Sequence, residues 1–206
     1  MPTTREAIAL VESAGLYPAI FADMRDNTGG GSSGDSTGML QAFVEARLRD
    51  ACVLNITDPE SVKQCHAAGE GATLTLDVGG KSSPLQGESI RMNARVVGLS
   101  NGKFHYDGPM FAGLESDLGP SAHIEQDGIH VLLTTLREQP FDTAFARSLK
   151  LDPRQMCYIG VKSSAHFRAG FESWAGCIHV VSEPSVHDLG NLPYMRLNRR
   201  LYPFHS

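Results

Sequence analysis

A strand, then a loop, then a helix, used more than once, is the pattern that most limits what this chain can fold into. LYPAIFADM (16–24) is an apolar run with strand character; the loop DNTGGGSSGDST (26–37) follows, and a helical period then extends from about Thr37 to Leu48. The next unit repeats the order. ACVLNIT (51–57) is apolar and partly β-branched, Asp58 stands at a capping position, Pro59 at the first helical position, and ESVKQCHAAG closes on Gly69. A third unit lies late in the chain: Asp142 can cap a helix over TAFARSLKL, MCYIGVKSS (156–164) is a strand, AHFRAGFESW a helix and CIHVVSEP (177–184) another strand. Such alternation predicts parallel βαβ architecture with flanking helices.

A different texture separates the second unit from the third. TLTLDVGG (73–80), SIRMNARVVGLS (89–100) and KFHYDG (103–108) alternate with period two, and AHIEQDGIHVLLTT (122–135) is a hairpin turning at Asp127-Gly128. The expected fold is therefore α/β, a mostly parallel sheet with an inserted antiparallel β subdomain at about 70–140, in a single domain spanning 1–206. GPMFAGLESDLGP (108–120) is a long loop. At 206 residues and 41% hydrophobic content, the chain suffices for one sizeable core.

A formal charge of −5, with no basic run beyond Arg199-Arg200, argues against nucleic-acid and anionic-membrane partners. No stretch has the length and apolarity of a membrane span, and the start of the chain lacks the pattern of a targeting signal. Cys52, Cys65, Cys157 and Cys177 form no CxxC and lie mostly in strand-like contexts, as reduced core thiols do. A cytoplasmic setting is expected.

Two loops at strand ends carry the chemistry. In the first, Gly29-x-x-x-x-Gly34-Asp35-Ser36 is a near miss to the phosphate loop GxxxxGK[ST], with a carboxylate where that motif needs a cation. Polyphosphate binding is disfavoured; close backbone approach to a ligand or another chain remains, with Asp35 or Ser36 capping the following helix. The plainer alternative is a glycine-rich turn and an ordinary cap. The second loop, Lys162-Ser163-Ser164-Ala165-His166-Phe167-Arg168, gathers hydroxyls, an imidazole and a guanidinium within one turn, suited to a carboxylate or developing oxyanion. It lacks the GxSxG elbow of serine hydrolases. Here the plain alternative has Ser164 capping, His166 at the surface and Arg168 paired with an acid. Eight histidines offer no HExxH or HxH spacing, so no metal site is expected within the chain. His123 and His130 flank the hairpin, His179 and His187 flank a strand end, and each is expected to stand alone. Asp23, Arg25 and Asp26 either face a cleft or satisfy the turn. Trp174, beside Phe171, is expected in the core.

DMRDNTGGGSSGDST, GEGATLTLDVGGKSSPLQGE, VLLTTLREQPFD, IGVKSSAHFRAGFESWAG and NLPYMRLNRRLYPF together resemble the C-terminal domain of the microcystinase C (MlrC) family of zinc metallopeptidases, from about Leu16 to Phe204. The family pattern DNPGGG has Thr28 in place of proline here. The resemblance implies a preceding, larger domain or separate subunit that supplies zinc and most of the hydrolytic machinery, and a small or linear peptide substrate. It implies that Asn27, Gly29, Gly30, Gly31, Asp35 and Ser36 form one wall of a cleft, and Ser163, Ser164, His166 and Arg168 the catalytic-side wall. Two further readings stay open: a stand-alone module binding an anionic small molecule, and a hydrolase using Ser163 or Ser164.

Overall fold

The computed structural model describes residues 1–186. His187, Arg199-Arg200 and NLPYMRLNRRLYPF lie outside them. In chain order the elements are α1 Thr4–Ala14, β1 Ala19–Asp23, α2 Gly38–Glu45, β2 Ala51–Thr57, α3 Pro59–Ala68, β3 Thr73–Val78, β4 Ile90–Ser100, β5 Lys103–His105, β6 Glu115–Asp117, β7 Ser121–Gln126, β8 Ile129–Thr134, α4 Ala144–Ser148, β9 Tyr158–Val161, α5 Arg168–Phe171 and β10 Cys177–Val181. One eight-stranded sheet runs β10-β1-β9-β2-β8-β7-β4-β3, and β5 pairs with β6 apart from it. The first five strands in that order are parallel; the last three continue antiparallel. The antiparallel insertion thus extends the same sheet, because β8 pairs in parallel with β2 on one side and antiparallel with β7 on the other.

Over its parallel part each face of the sheet is covered, whereas β3 and β4 alternate buried with exposed positions. Ala7, Ile8 and Val11 of α1, Met39, Leu40 and Phe43 of α2, and Val62 and Cys65 of α3 pack on one side against Phe21, Val53, Ile56 and Leu133. On the other, Phe145, Leu149, Phe167 and Phe171, with Phe104 and Tyr106, meet Ile20, Leu54, Leu132 and Ile159. Fully burying one such large apolar side chain stabilises the fold by about 1.5–3 kcal/mol. β1 is buried at all five positions, as expected of a central parallel strand covered on both faces.

Local signals explain the boundaries. Thr3 and Glu6 form a reciprocal capping box on α1, and Asp58 accepts the Ser61 amide ahead of Pro59 at the start of α3. The hairpin turns on Asp127 (φ 53°) and Gly128 (φ 85°), the left-handed pair that an Asp-Gly turn supplies. The helix expected over AHFRAGFESW contracts to the four residues of α5, and that over 37–48 to eight. Trp174 packs beside Phe171 on the second core and donates to the Gly170 carbonyl at 2.8 Å. All four cysteines are free thiols, and among the described residues no helix is long and apolar enough to cross a membrane.

The histidines at the hairpin are not isolated. His123 is buried; its Nδ1 meets the Leu149 carbonyl at 2.9 Å and its Nε2 meets His130 Nδ1 at 2.8 Å. The cross-strand register places the two side chains on one face, which local sequence spacing does not reveal. Burial pushes His123 down to about 4, opposed by the Leu149 carbonyl and Glu125 and reinforced by His130 and Arg95. The unfolded chain therefore binds more protons than the folded one between about pH 6.5 and 4. This group's share of stability is complete above that window and declines on acidification, by about 3 kcal/mol in full. Urea midpoints measured from pH 7 to 4 should fall less steeply for His123→Gln than for the unmodified chain; parallel profiles would contradict the assignment.

Candidate functional site

The order β1-β9-β2 inserts β9 between two strands that precede it in sequence, and this sets the site. Because β1 and β9 are parallel neighbours, Asp23 and Val161 end side by side, and the glycine loop and the Lys162–Arg168 turn leave from the same edge. Open α/β sheets gather ligands at such carboxyl-end positions.

Asp26 organises the first turn. Its Oδ1 accepts from Ser32 Oγ (2.5 Å), Gly34 N (3.0 Å) and Gln86 Nε2 (3.1 Å), and its Oδ2 from Ser36 N (2.8 Å) and Lys162 Nζ (2.7 Å). Lys162 also donates to Ser36 O (2.8 Å) and Oγ (2.7 Å), and both ion-pair partners are fully buried. Burial alone would raise the Asp26 carboxyl; the Lys162 charge and the Ser32 and Ser36 donors prevail and hold it well below the usual carboxylate range. Asp23 goes the other way. Burial, with the Asp26 charge beside it, pushes Asp23 up to about 6 despite Lys162 and the amides of Arg25 and Asp26.

The loop's amides are spent inside the protein. Gly29 N meets Asn27 Oδ1, Gly30 N and Ser32 N meet Asn27 O, Gly31 N meets Thr28 O, and Gly34 N and Ser36 N meet Asp26. What a phosphate loop does for a bound anion, this loop does for its own aspartate. Asp35 and Ser36 do not cap α2, whose N-cap is Thr37 with no side-chain bond. Asp35 instead accepts from Lys81 N (2.9 Å), Ser82 N (2.8 Å) and Ser82 Oγ (2.6 Å), which hold it below the usual carboxylate range against burial. It faces a separate cavity of about 580 Å³ lined by Ser33, Thr57, Asp58, Lys81 and Arg137 among others.

The second turn meets the first directly. Asn27 Nδ2 donates to Ser164 Oγ at 3.0 Å. Gln139, from the segment after β8, bridges both: its Oε1 accepts from buried Ser163 Oγ at 3.1 Å and from His166 Nδ1 at 3.2 Å. A Cβ on Gly29 would lie 1.4 Å from Gln139 Nε2, so the absence of a side chain there makes the approach possible. His166 is exposed, with its ring 6.0 Å from Phe141. Asn27, Gly29, Ser163, Ser164 and His166 are thus together, while Gly30 and Gly31 sit on the loop's exposed tip. Arg168 lies apart from that cluster, pairing with Glu172 at 2.7 Å along α5 and lying over the Phe167 ring. At four residues, α5 is too short to offer the dipole of a full helix.

The arrangement limits the chemistry. The Ser163 hydroxyl donates to an amide and Ser164 accepts from one, so neither is activated by an imidazole base. Among the described residues no group of three or more His, Cys, Asp or Glu side chains could hold a metal ion, and His166 has an amide, not a second ligand, beside it. These residues do not fit a zinc centre by themselves. Lys162 and Gln139 were legible only as a strand-end lysine and a loop glutamine; a lysine directly after the buried run YIGV was the available signal, since such a charge needs a buried partner.

The fold and site define an α/β domain in which two turns adjoin at the carboxyl ends of the parallel strands, braced by a buried ion pair. The family model for the MlrC C-terminus matches residues 21–196, and the chain belongs to that family. Microcystinase C from Sphingomonas sp. is 29% identical over 197 residues, covering 96% of this chain and 38% of that protein. A crystal structure assigned to a metallopeptidase of Mesorhizobium sp. BNC1 superposes with a TM-score of 0.86 at 22% identity, over 99% of this chain and 41% of that one. The chain therefore spans about two fifths of the length of either relative.

Lys162→Met leaves Asp26 buried without its counter-charge and should lower unfolding free energy by about 3–5 kcal/mol. Adding Asp26→Asn should restore part of that loss in urea titrations; a double variant no more stable than Lys162→Met alone would show the two charges uncoupled.

Proposed function

We propose that this chain is the accessory, C-terminal part of an MlrC-like metallohydrolase acting on small or linear peptides. Its crevice forms one wall of the active-site cleft, and a metal-bearing N-terminal domain or subunit forms the other. The observation that carries this reading is the direct junction of the two turns, Asn27 on Ser164 and Gln139 on Ser163 and His166, at one sheet edge. It agrees with family membership and with relatives more than twice as long, one named Microcystinase C and one assigned as a metallopeptidase. The zinc belongs to the remainder of the larger protein. This chain's share is to bind and orient: Asn27, Gly29, Ser164 and His166 present polar groups at the rim, over a base fixed by Asp26 and Lys162.

A stand-alone anion-binding module has less support. The loop amides are satisfied internally, Lys162 is buried on Asp26, and Arg168 is paired with Glu172. Those donors would have to abandon existing partners before gripping a ligand.

The deciding measurement is hydrolysis of linear peptides, microcystin-derived ones included, by this chain, by the metal-bearing remainder, and by both together. Activity confined to the combination is expected. Gly29→Ala, which must displace Gln139, should lower the combined rate at least about tenfold while shifting the thermal midpoint by only a few degrees. Full hydrolysis by the remainder alone, or an unchanged rate with Gly29→Ala, would refute the cleft-wall role.

A further inference from the structure

Gln139 lies in the segment joining β8 to α4, outside both turns, and is buried. Its amide oxygen faces two hydrogen-bearing groups at once: the Ser163 hydroxyl at 3.1 Å and His166 Nδ1 at 3.2 Å. A carbonyl oxygen only accepts, so the imidazole nitrogen facing it must carry the proton. In the neutral ring the other nitrogen, Nε2, then keeps its lone pair. The Gln139 amide nitrogen lies on the opposite side, in the space that a side chain at position 29 would occupy.

We propose that Gln139 is the positioning residue of the crevice: by accepting from His166 Nδ1–H it locks the exposed imidazole into the tautomer whose Nε2 receives a hydrogen bond from a peptide N–H. This rests on the cleft-wall reading and names the group the wall recognises. Across the junction the polarity is reversed. Ser164 Oγ already accepts from Asn27 Nδ2, so its own hydrogen is free to be donated. One rim group that accepts and one that donates match the N–H and C=O of a peptide backbone, and suit a carboxylate, which only accepts, less well. The Phe141 ring lies 6.0 Å from the His166 ring, tilted by 50°. The sequence suggests that Ser163, Ser164, His166 and Arg168 together hold a carboxylate or developing oxyanion; in this arrangement Ser163 serves the same amide oxygen as His166, and Arg168 pairs with Glu172.

The tautomer is read directly from long-range proton–nitrogen spectra of the 206-residue chain labelled with ¹⁵N-histidine at about pH 8, where imidazoles are neutral. His166→Gln assigns the resonances. The expected spectrum has a protonated Nδ1 and an unprotonated Nε2 for His166. Gln139→Leu should shift the majority population to the Nε2–H form, and Gln139→Glu, which retains an acceptor, should keep the original one. In the assembled protein, Gln139→Leu should raise KM for a linear peptide about tenfold, the size of one hydrogen bond, with recovery in Gln139→Glu. An Nε2–H tautomer in the unmodified chain, or a tautomer indifferent to Gln139→Leu, overturns the proposal even if activity is lost. The expected tautomers with no peptide hydrolysis in any assembly would instead overturn the cleft-wall reading and leave Gln139 as the orienting group.

Discussion

The buried pair of Lys162 and Asp26 is the contact on which the junction of the two turns depends. Removing two charges from water is expensive, and in a protein interior their attraction offsets that penalty only where further hydrogen bonds satisfy both groups. Here they do: the ammonium has Asp26 and two atoms of Ser36, and the carboxylate has five donors drawn from the loop, Gln86 and Lys162. An apolar pair in the same space would hold β1 and β9 together equally well. It would not dictate where the glycine loop goes, because nothing would draw the amides of Gly34 and Ser36 inward.

This inward orientation governs what the rim offers. A glycine-rich loop at the end of a parallel strand suggests an anion site, since free amides there attract negative charge. In this chain the attracting charge is built in. The α2 N-terminus is similarly met from within, with Glu183 Oε2 lying 2.8 Å from where a Gly38 Cβ would be. Where the two turns meet, the side chains are an amide, a hydroxyl and an imidazole, and the exposed Arg137 guanidinium lies on the carbonyls of Gly31 and Ser32 beside them. Such a mixture is complementary to groups that both donate and accept hydrogen bonds.

The fold was largely legible because period carries it. Apolar runs bounded by Asp-Pro, Asp-Gly and Gly-Gly gave nearly every strand, and the division into parallel and antiparallel textures corresponds to the two ends of one sheet. That the textures would share a sheet was not legible, because pairing of β8 with β2 joins residues more than seventy apart and leaves no local mark. The site was legible as two loops and illegible as a network. Asn27 and Ser164 come together through strand order alone, and Gln139 reaches Gly29, Ser163 and His166 from a third segment. Of the two readings the sequence left for Arg168, the ion pair is the one seen: Glu172 stands four residues along its helix, within reach of the guanidinium. His123 and His130 were read as separate because pairing across a hairpin depends on register, not on spacing.

The strand order also fixes when the crevice can come into being. β1 has two neighbours, β9 and β10, both formed by residues more than 130 positions later in the chain. During synthesis β1 emerges before β9 and β10, and it has neither neighbour to join until more than 130 further residues have followed. Closing so long a loop makes such pairing slow relative to hairpins like β7–β8. Asp26 must therefore wait, solvated, for Lys162 to arrive, and the antiparallel half of the sheet can already be standing when the last parallel strands bring the two turns together.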